Sequence, residues 1–155
     1  MKGVRGFELV SRVEGDNDYQ LPKRMTKHSA AYDFFSPVDA VIEPQGILKI
    51  ETGVKIYFPD DEAFFFYTRS GLGSKKGIIL RNNVAVLDSD YYDNPGNEGE
   101  AIITLVNTGD EPFTLKKGDR FCQGLFQKVL HAGPDFDYGD ERRGGLGSTD
   151  KNSNI

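Results

Sequence analysis

Cysteine, histidine, tryptophan and long apolar runs are all scarce in this chain, and each scarcity closes a class of function. The 155 residues contain one cysteine, Cys122, and no tryptophan. A single cysteine forms no internal disulfide and no multi-thiolate metal site. The two histidines, His28 and His131, stand too far apart in sequence to read as a local metal motif. The longest apolar stretch, Ala63 to Tyr67, falls far short of the roughly 20 residues of a spanning helix. Charges occupy the N-terminus where a secretory signal would place its apolar segment. An excess of positive charge is missing too: 19 Lys+Arg against 24 Asp+Glu leave a net charge of -5, so the surface as a whole repels polyanions and acidic membranes. The expectation is a soluble, cytoplasmic protein without stable nucleic-acid or membrane binding, in which any bound anion meets a local basic cluster.

Glycine is abundant, with 18 residues beside 7 prolines and 12% aromatics, a composition suited to short strands joined by tight turns. From Leu48 to Phe58 the apolar residues Leu48, Ile50, Val54, Ile56 and Phe58 share one parity, with Lys49, Glu51 and Lys55 on the other. That alternation is a strand with one wet face, bounded by the turn chemistry of Pro44-Gln45-Gly46 and Pro59-Asp60-Asp61. Further strands are predicted over Val4 to Val10, Ala63 to Thr68, Gly77 to Leu80, Val84 to Leu87, Glu100 to Val106, Phe113 to Leu115 and Phe121 to Leu130. Helix is expected only in short pieces, around Pro22 to Lys27, because no 3.6-residue stripe is sustained. The fold class is all-β. The core is predicted over residues 1–132, with a tail over 133–155 whose glycines and clustered charges leave little to bury.

Several segments carry chemistry as readily as they carry turns. Arg69-Ser70-Gly71-Leu72-Gly73-Ser74-Lys75-Lys76-Gly77 reads as a turn, and also brings a guanidinium, two lysines, hydroxyls and permissive glycines of the kind that converge on phosphates. Asp88-Ser89-Asp90 ends an apolar strand. It reads as an Asx turn or as a carboxylate pair for general base or cation chemistry, sharing a face if the strand continues. Tyr92 to Gly99 is turn-rich and predicts a hairpin tip. Asp33 follows the small residues Ala30 and Ala31, as a solvated turn carboxylate or a site residue. Cys122 reads as a small buried hydrophobe. In the tail, Arg142-Arg143-Gly-Gly-Leu-Gly-Ser-Thr149 reads as a flexible end or as a lid able to wrap a phosphate chain.

Taken in order, these segments resemble the five motifs of the homotrimeric dUTPase family, of the phage and bacterial type: AAYDFFSP (30–37), RSGLGSKKGI (69–78), AVLDSDYY (85–92), GDRFCQGLF (118–126) and RRGGLGST (142–149). The resemblance implies a jelly-roll-like subunit in a homotrimer with shared sites, a mobile C-terminal tail, and hydrolysis of dUTP to dUMP and pyrophosphate with Mg2+, which keeps uracil out of DNA. By the same resemblance Asp88 is the general base. Arg69, Ser70, Gly71 and Gln123 hold phosphates. Asn82, Val86, Leu87 and the start of the hairpin read uracil, and Tyr91 packs beneath the deoxyribose. Asp33 serves the water ligands of a magnesium held by the triphosphate, or the hydrogen-bond network of the site. Arg142 grips the γ-phosphate, Leu146 covers the base, and Gly147 and Ser148 close over the phosphates. A phage-encoded member implies a regulatory protein partner as well.

Three departures from the family pattern stand out. Ala85 replaces the usual glycine, Tyr92 to Glu100 is longer than the common Tyr-x-Gly-Glu, and Leu146 replaces the usual Phe. The homologous dCTP deaminases need a Glu in the strand after the hairpin to shuttle protons, and Ile102-Ile103-Thr104-Leu105-Val106 contains none.

Overall fold

The alternation around residue 50 folds as an eleven-residue strand, Ile47–Tyr57 (β4), which with a second long strand, Glu100–Asn107 (β8), forms the spine of one sheet. In this computed structural model, which describes residues 3–136, 139, 142 and 144, Gly6–Leu9 (β1) and Ile78–Leu80 (β6) complete that sheet in the order β1-β4-β8-β6. The facing sheet has the order β2-β10-β5-β7, from Tyr32–Phe35 (β2), Arg120–Lys128 (β10), Glu62–Tyr67 (β5) and Ala85–Leu87 (β7). A two-stranded ribbon of Ala40–Ile42 (β3) and Phe113–Leu115 (β9) lies beside them. Every pairing between these strands is antiparallel. The result is the all-β, jelly-roll-like sandwich expected from the sequence.

The core is where the two inner faces interdigitate. Ile50, Ile56, Leu80, Ile103 and Leu105 come from one sheet, and Phe34, Phe64, Phe66, Phe121 and Cys122 from the other. Phe64 is central: Phe7, Phe34, Phe66 and Phe126 pack their rings against it at centroid distances of 4.8 to 6.1 Å. Gly124 on β10 makes that packing possible, because a Cβ there would lie 2.2 Å from Phe64 Cε1.

Two strands escaped the sequence reading. β2 is short and interrupted by Asp33, whose carboxylate hides the apolar signal. β3 is only three residues long. The helix is also elsewhere than expected. Pro22 to Lys27 is extended and bent, with Lys23 bridged to Asp33 through paired backbone hydrogen bonds of 3.1 and 2.8 Å. The α-helix is Ser70–Lys76 (α1), in the glycine-rich segment, and Gly77 closes it in the left-handed conformation at φ 68°. Tyr92 to Gly99 is not a hairpin tip. β7 pairs with β5 while β8 pairs with β4 and β6, so this turn carries the chain from one sheet to the other.

Glu62, buried at the start of β5, is gripped by Arg5, whose Nε donates to Oε2 at 2.8 Å and whose Nη2 donates to Oε1. These hydrogen bonds hold the Glu62 carboxyl below its ordinary value of 4.5. A depressed folded-state value contributes stability that is full above the unfolded value and is lost as pH falls through the lower, folded one. Urea midpoints of the wild type and Glu62→Gln are therefore expected to differ most near pH 7 and to draw together as pH falls below the ordinary value of 4.5. A gap that is unchanged down to pH 3 contradicts this.

Candidate active site

Among the described residues β7 is the last strand of its sheet and pairs on one side only, with Phe64 opposite Leu87 and Phe66 opposite Ala85. Its outer row of peptide N–H and C=O groups is left for a ligand. Beyond Leu87 the strand stops: Asp88 is still extended, at φ −83° and ψ 155°, and Ser89–Tyr91 forms a 3₁₀ turn. Asp88 and Asp90 therefore do not alternate along a strand, yet one guanidinium joins them. Arg142 Nη2 donates to Asp88 Oδ2 at 2.5 Å and Nε donates to Asp90 Oδ1 at 2.7 Å. The Arg142 guanidinium also lies 5.7 Å from the centroid of the Tyr91 ring, a cation–π arrangement. The Asp90 hydrogen bond, ahead of the nearby charges of Asp90 and Asp88, pushes the Arg142 pKa up. This arginine is largely buried, while the Asp88 and Asp90 side chains are 59% and 56% exposed.

Between these groups lies a cavity of about 210 Å³. Val86, Leu87 and Tyr91 line it, with Asn82, Asp88 and Arg142 as its polar groups. Ala85 adds to its apolar wall, and Phe66, Ala101 and Ile102, which were not foreseen, complete it. They are ordinary strand residues, so only the pairing of β5 and β8 with their neighbours could reveal them. Flat apolar walls, edge-strand peptides, a carboxylate and a guanidinium suit a planar heterocycle that carries an anion. No residue of the Tyr92 to Glu100 turn lines this cavity. The turn folds the other way, against the N-terminal segment: Glu98 accepts from Ser11 N at 3.1 Å and from the Ser11 hydroxyl, and Lys55 Nζ donates to Asp93 at 2.5 Å. The Glu100 carboxylate also points away from the cavity, to Arg12 Nη2 at 2.5 Å and the Gly53 N–H at 2.7 Å.

A second polar cluster forms on the same sheet. Asp33, Gln123 and Tyr67 stand in register across β2, β10 and β5. Arg69 Nε donates to Asp33 Oδ1 at 3.1 Å, and Arg120 Nη1 donates to Asp33 Oδ2 at 2.9 Å. Arg69 Nη1 is further tied to the Arg120 carbonyl at 3.0 Å, and Gln123 Nε2 to the Thr68 carbonyl at 3.1 Å. Two guanidiniums on one carboxylate explain how Asp33 sits inside a strand with its side chain only 13% exposed. Ser70 and Gly71 follow at once, in the first turn of α1, where N–H groups lack helical partners; around Gly71 there is open space.

The two clusters do not meet within one chain. Asp88 lies one residue past the Phe64–Leu87 pair, at the Ala63 end of β5, and Ser89 Oγ bonds Asp60 there at 2.9 Å. Arg69 lies past Tyr67, at the other end. Ala63 and Tyr67 alone are about 13 Å apart at ~3.3 Å per residue, and Arg69 is held by Asp33 and the Arg120 carbonyl. The fold thus brings Asn82, Val86, Leu87, Asp88, Tyr91 and Arg142 together, and gathers Asp33, Arg69, Ser70, Gly71 and Gln123 elsewhere. Leu146, Gly147 and Ser148 lie outside the described residues. Cys122 is fully buried and unpaired, and burial pushes its thiol well above the ordinary value, so it is no nucleophile. Among the described residues no group of three or more His, Cys, Asp or Glu is placed to hold a metal ion, and no helix is long and apolar enough to cross a membrane.

Comparison with known proteins gives a consistent result. The family model described as dUTPase matches residues 17–150. The deoxyuridine 5'-triphosphate nucleotidohydrolase of Lactococcus lactis is 41% identical over 147 residues, covering 94% of this chain and 97% of that protein. The crystal structure of dUTPase from Streptococcus mutans superposes with a TM-score of 0.72 at 38% identity, covering 83% of this chain and 98% of that one. A mutant dUTPase from phage phi11 of S. aureus, described with a structural Mg(II) ion, shares the fold at a TM-score of 0.70 and 19% identity, over 90% of this chain and 100% of that one.

Proposed function

The chain belongs to the dUTPase family and is a dUTP diphosphatase, and from that premise we propose that it cleaves dUTP between the α- and β-phosphates with Asp88 as general base. The observation that carries this reading is the cavity beyond β7, where apolar walls and edge-strand peptides end at the Asp88 carboxylate. Asp88 takes a proton from a water whose oxygen attacks the α-phosphorus. The bond to the β-phosphate's bridging oxygen breaks on the opposite side, leaving dUMP and pyrophosphate. A carboxylate is a weak base, so positioning and charge stabilisation supply most of the acceleration. Asn82 and the peptides of Val86 and Leu87 read the uracil edge, and Tyr91 packs beneath the deoxyribose. Mg2+ held by the triphosphate would supply charge neutralisation there. Both Asp33 oxygens accept from guanidiniums, which favours a hydrogen-bonding role for Asp33 over one on magnesium's water ligands.

Phosphate binding by Arg69, Ser70, Gly71 and Gln123 at the same nucleotide requires a second chain, since one chain separates them from Asp88. The separation along β5 supports a homotrimer with sites shared between subunits. On binding, Arg142 exchanges its two carboxylates for phosphate oxygens, with Leu146, Gly147 and Ser148 closing over base and phosphates. Hydrolysis is favoured over deamination of dCTP because β8 turns Ala101 and Ile102 to the cavity while Glu100 is held on Arg12 and the Gly53 N–H. Pyrophosphate release from dUTP is expected to exceed that from dTTP, dCTP and UTP by orders of magnitude. Comparable turnover of any of these three, or ammonia released from dCTP, overturns the assignment.

A further inference from the structure

Asn94 and Asn97 sit in the long turn after Tyr91, and between them they hydrogen-bond both its carbonyl and its hydroxyl. Asn94 is buried. Its Nδ2 donates to the Tyr91 carbonyl and to Asn97 Oδ1, each at 2.8 Å, and its Oδ1 accepts from the Gly96 and Asn97 N–H groups at 3.0 and 3.2 Å. Asn97 Oδ1 accepts in addition from the Gly99 N–H at 3.1 Å, while Asn97 Nδ2 donates to the Tyr91 hydroxyl oxygen at 2.9 Å. The Tyr91 hydroxyl in turn donates to the Glu100 carbonyl at 2.9 Å. Because peptide N–H groups can only donate, they fix both amides with Oδ1 toward the turn. The orientation of Nδ2 toward Tyr91 follows. Gly99 lets the turn close: it has φ 80°, and a Cβ there would lie 2.5 Å from the Tyr91 carbonyl oxygen.

We infer that Asn97, backed by Asn94, is a positioning residue for sugar selectivity, holding the Tyr91 ring as the floor of the nucleotide cavity from the side away from the ligand. The inference rests on the proposed packing of Tyr91 beneath the deoxyribose. Tyr91 is gripped at both ends, its peptide by Asn94 and its hydroxyl by Asn97, so the ring cannot tilt to admit a 2'-hydroxyl. A ring fixed only by the Glu100 carbonyl has one tether at its hydroxyl where this one has two, and excludes the ribonucleotide less well. The turn thus acts on the substrate without touching it.

The test is the ratio of kcat/KM for dUTP to that for UTP, measured in the wild type, Asn97→Ala, Tyr91→Phe, Tyr91→Ala and the double variant Asn97→Ala/Tyr91→Phe, with native mass and circular dichroism as checks on assembly. Asn97→Ala is expected to lower the ratio about threefold to tenfold, the scale of one net hydrogen bond, while kcat for dUTP stays within about twofold. In the Tyr91→Phe background the same substitution is expected to change the ratio less than about twofold, because its route through the hydroxyl is already gone. An unchanged ratio in Asn97→Ala, or an equal fall in both backgrounds, overturns the inference. If Asn97→Ala does not fold, Tyr91→Phe alone carries the test: it removes the hydroxyl that Asn97 grips and is expected to lower the ratio about threefold or more, and a wild-type ratio overturns the inference. A wild-type ratio in Tyr91→Ala removes the sugar-reading role of Tyr91 itself, a separate failure from that of Asn97.

Discussion

Asp88→Asn is expected to leave the chain folded and the nucleotide bound while kcat falls by about 10²-fold or more, the scale of losing a general base. The substitution preserves the shape of the side chain and removes only its capacity to take a proton. Its structural cost is small. The Asp88 side chain is 59% exposed, and an exposed ion pair contributes little to stability. The peptide oxygen of Asp88, which accepts from the Tyr91 N–H at 3.2 Å to close the 3₁₀ turn, is unaffected. Pyrophosphate release gives kcat, and calorimetric titration with a non-hydrolysable dUTP analogue gives the affinity. Near-wild-type kcat removes Asp88 from the chemistry. Lost binding together with lost activity assigns it a role in holding the ligand instead.

Mixing two inactive chains is expected to restore about a quarter of the wild-type activity per site. The first chain is Asp88→Asn; the second ends after Gly139 and so lacks Arg142 to Thr149. In a cyclic trimer whose sites take Asp88 from one subunit and the tail from another, a site works only when its carboxylate donor is the truncated chain and its tail donor the substituted one. Random assortment at equal amounts gives one half times one half, about a quarter. The chain by itself places Arg142 on its own Asp88 and Asp90. If that contact is also the catalytic arrangement, no site in the mixture is complete and activity stays at the background of the separate chains. Native mass of the refolded mixture establishes that mixed trimers formed, so absence of recovery then counts against shared tails. The substrate assay stands independently of this outcome.

How much of this was legible in the sequence depends on the range of the interaction concerned. Alternation along β4 and the turn chemistry around it are local, and they placed that strand to within a residue at each end. Phe113–Leu115 was placed without error. The burial of Cys122 also follows from the local sequence, since a lone cysteine among strand residues behaves as a small hydrophobe. β2 was hidden because Asp33 breaks its apolar pattern, and the reason a carboxylate is tolerated there lies 36 and 87 residues away, in Arg69 and Arg120. The helix at Ser70–Lys76 was missed because Gly71 and Gly73 argue against helix locally; left-handed Gly77, where a Cβ would meet the Gly109 N–H nitrogen at 2.8 Å, closes it through a contact between distant segments.

The motifs around Asp88, Arg69 and Gln123 are short and contiguous, so residue order alone determined the family, the fold class and the chemistry expected of each. Their arrangement was decided only in three dimensions. The register of β5 against β7 and β10 puts Asp88 at one end of the sheet and the Asp33, Arg69 and Gln123 cluster at the other, although the motifs follow one another along the chain. The turn after Tyr91 reads in sequence as a hairpin tip reaching the base, yet β7 and β8 belong to different sheets. Its asparagines therefore brace Tyr91 from behind, because strand pairing is a non-local choice that the composition of a turn does not carry.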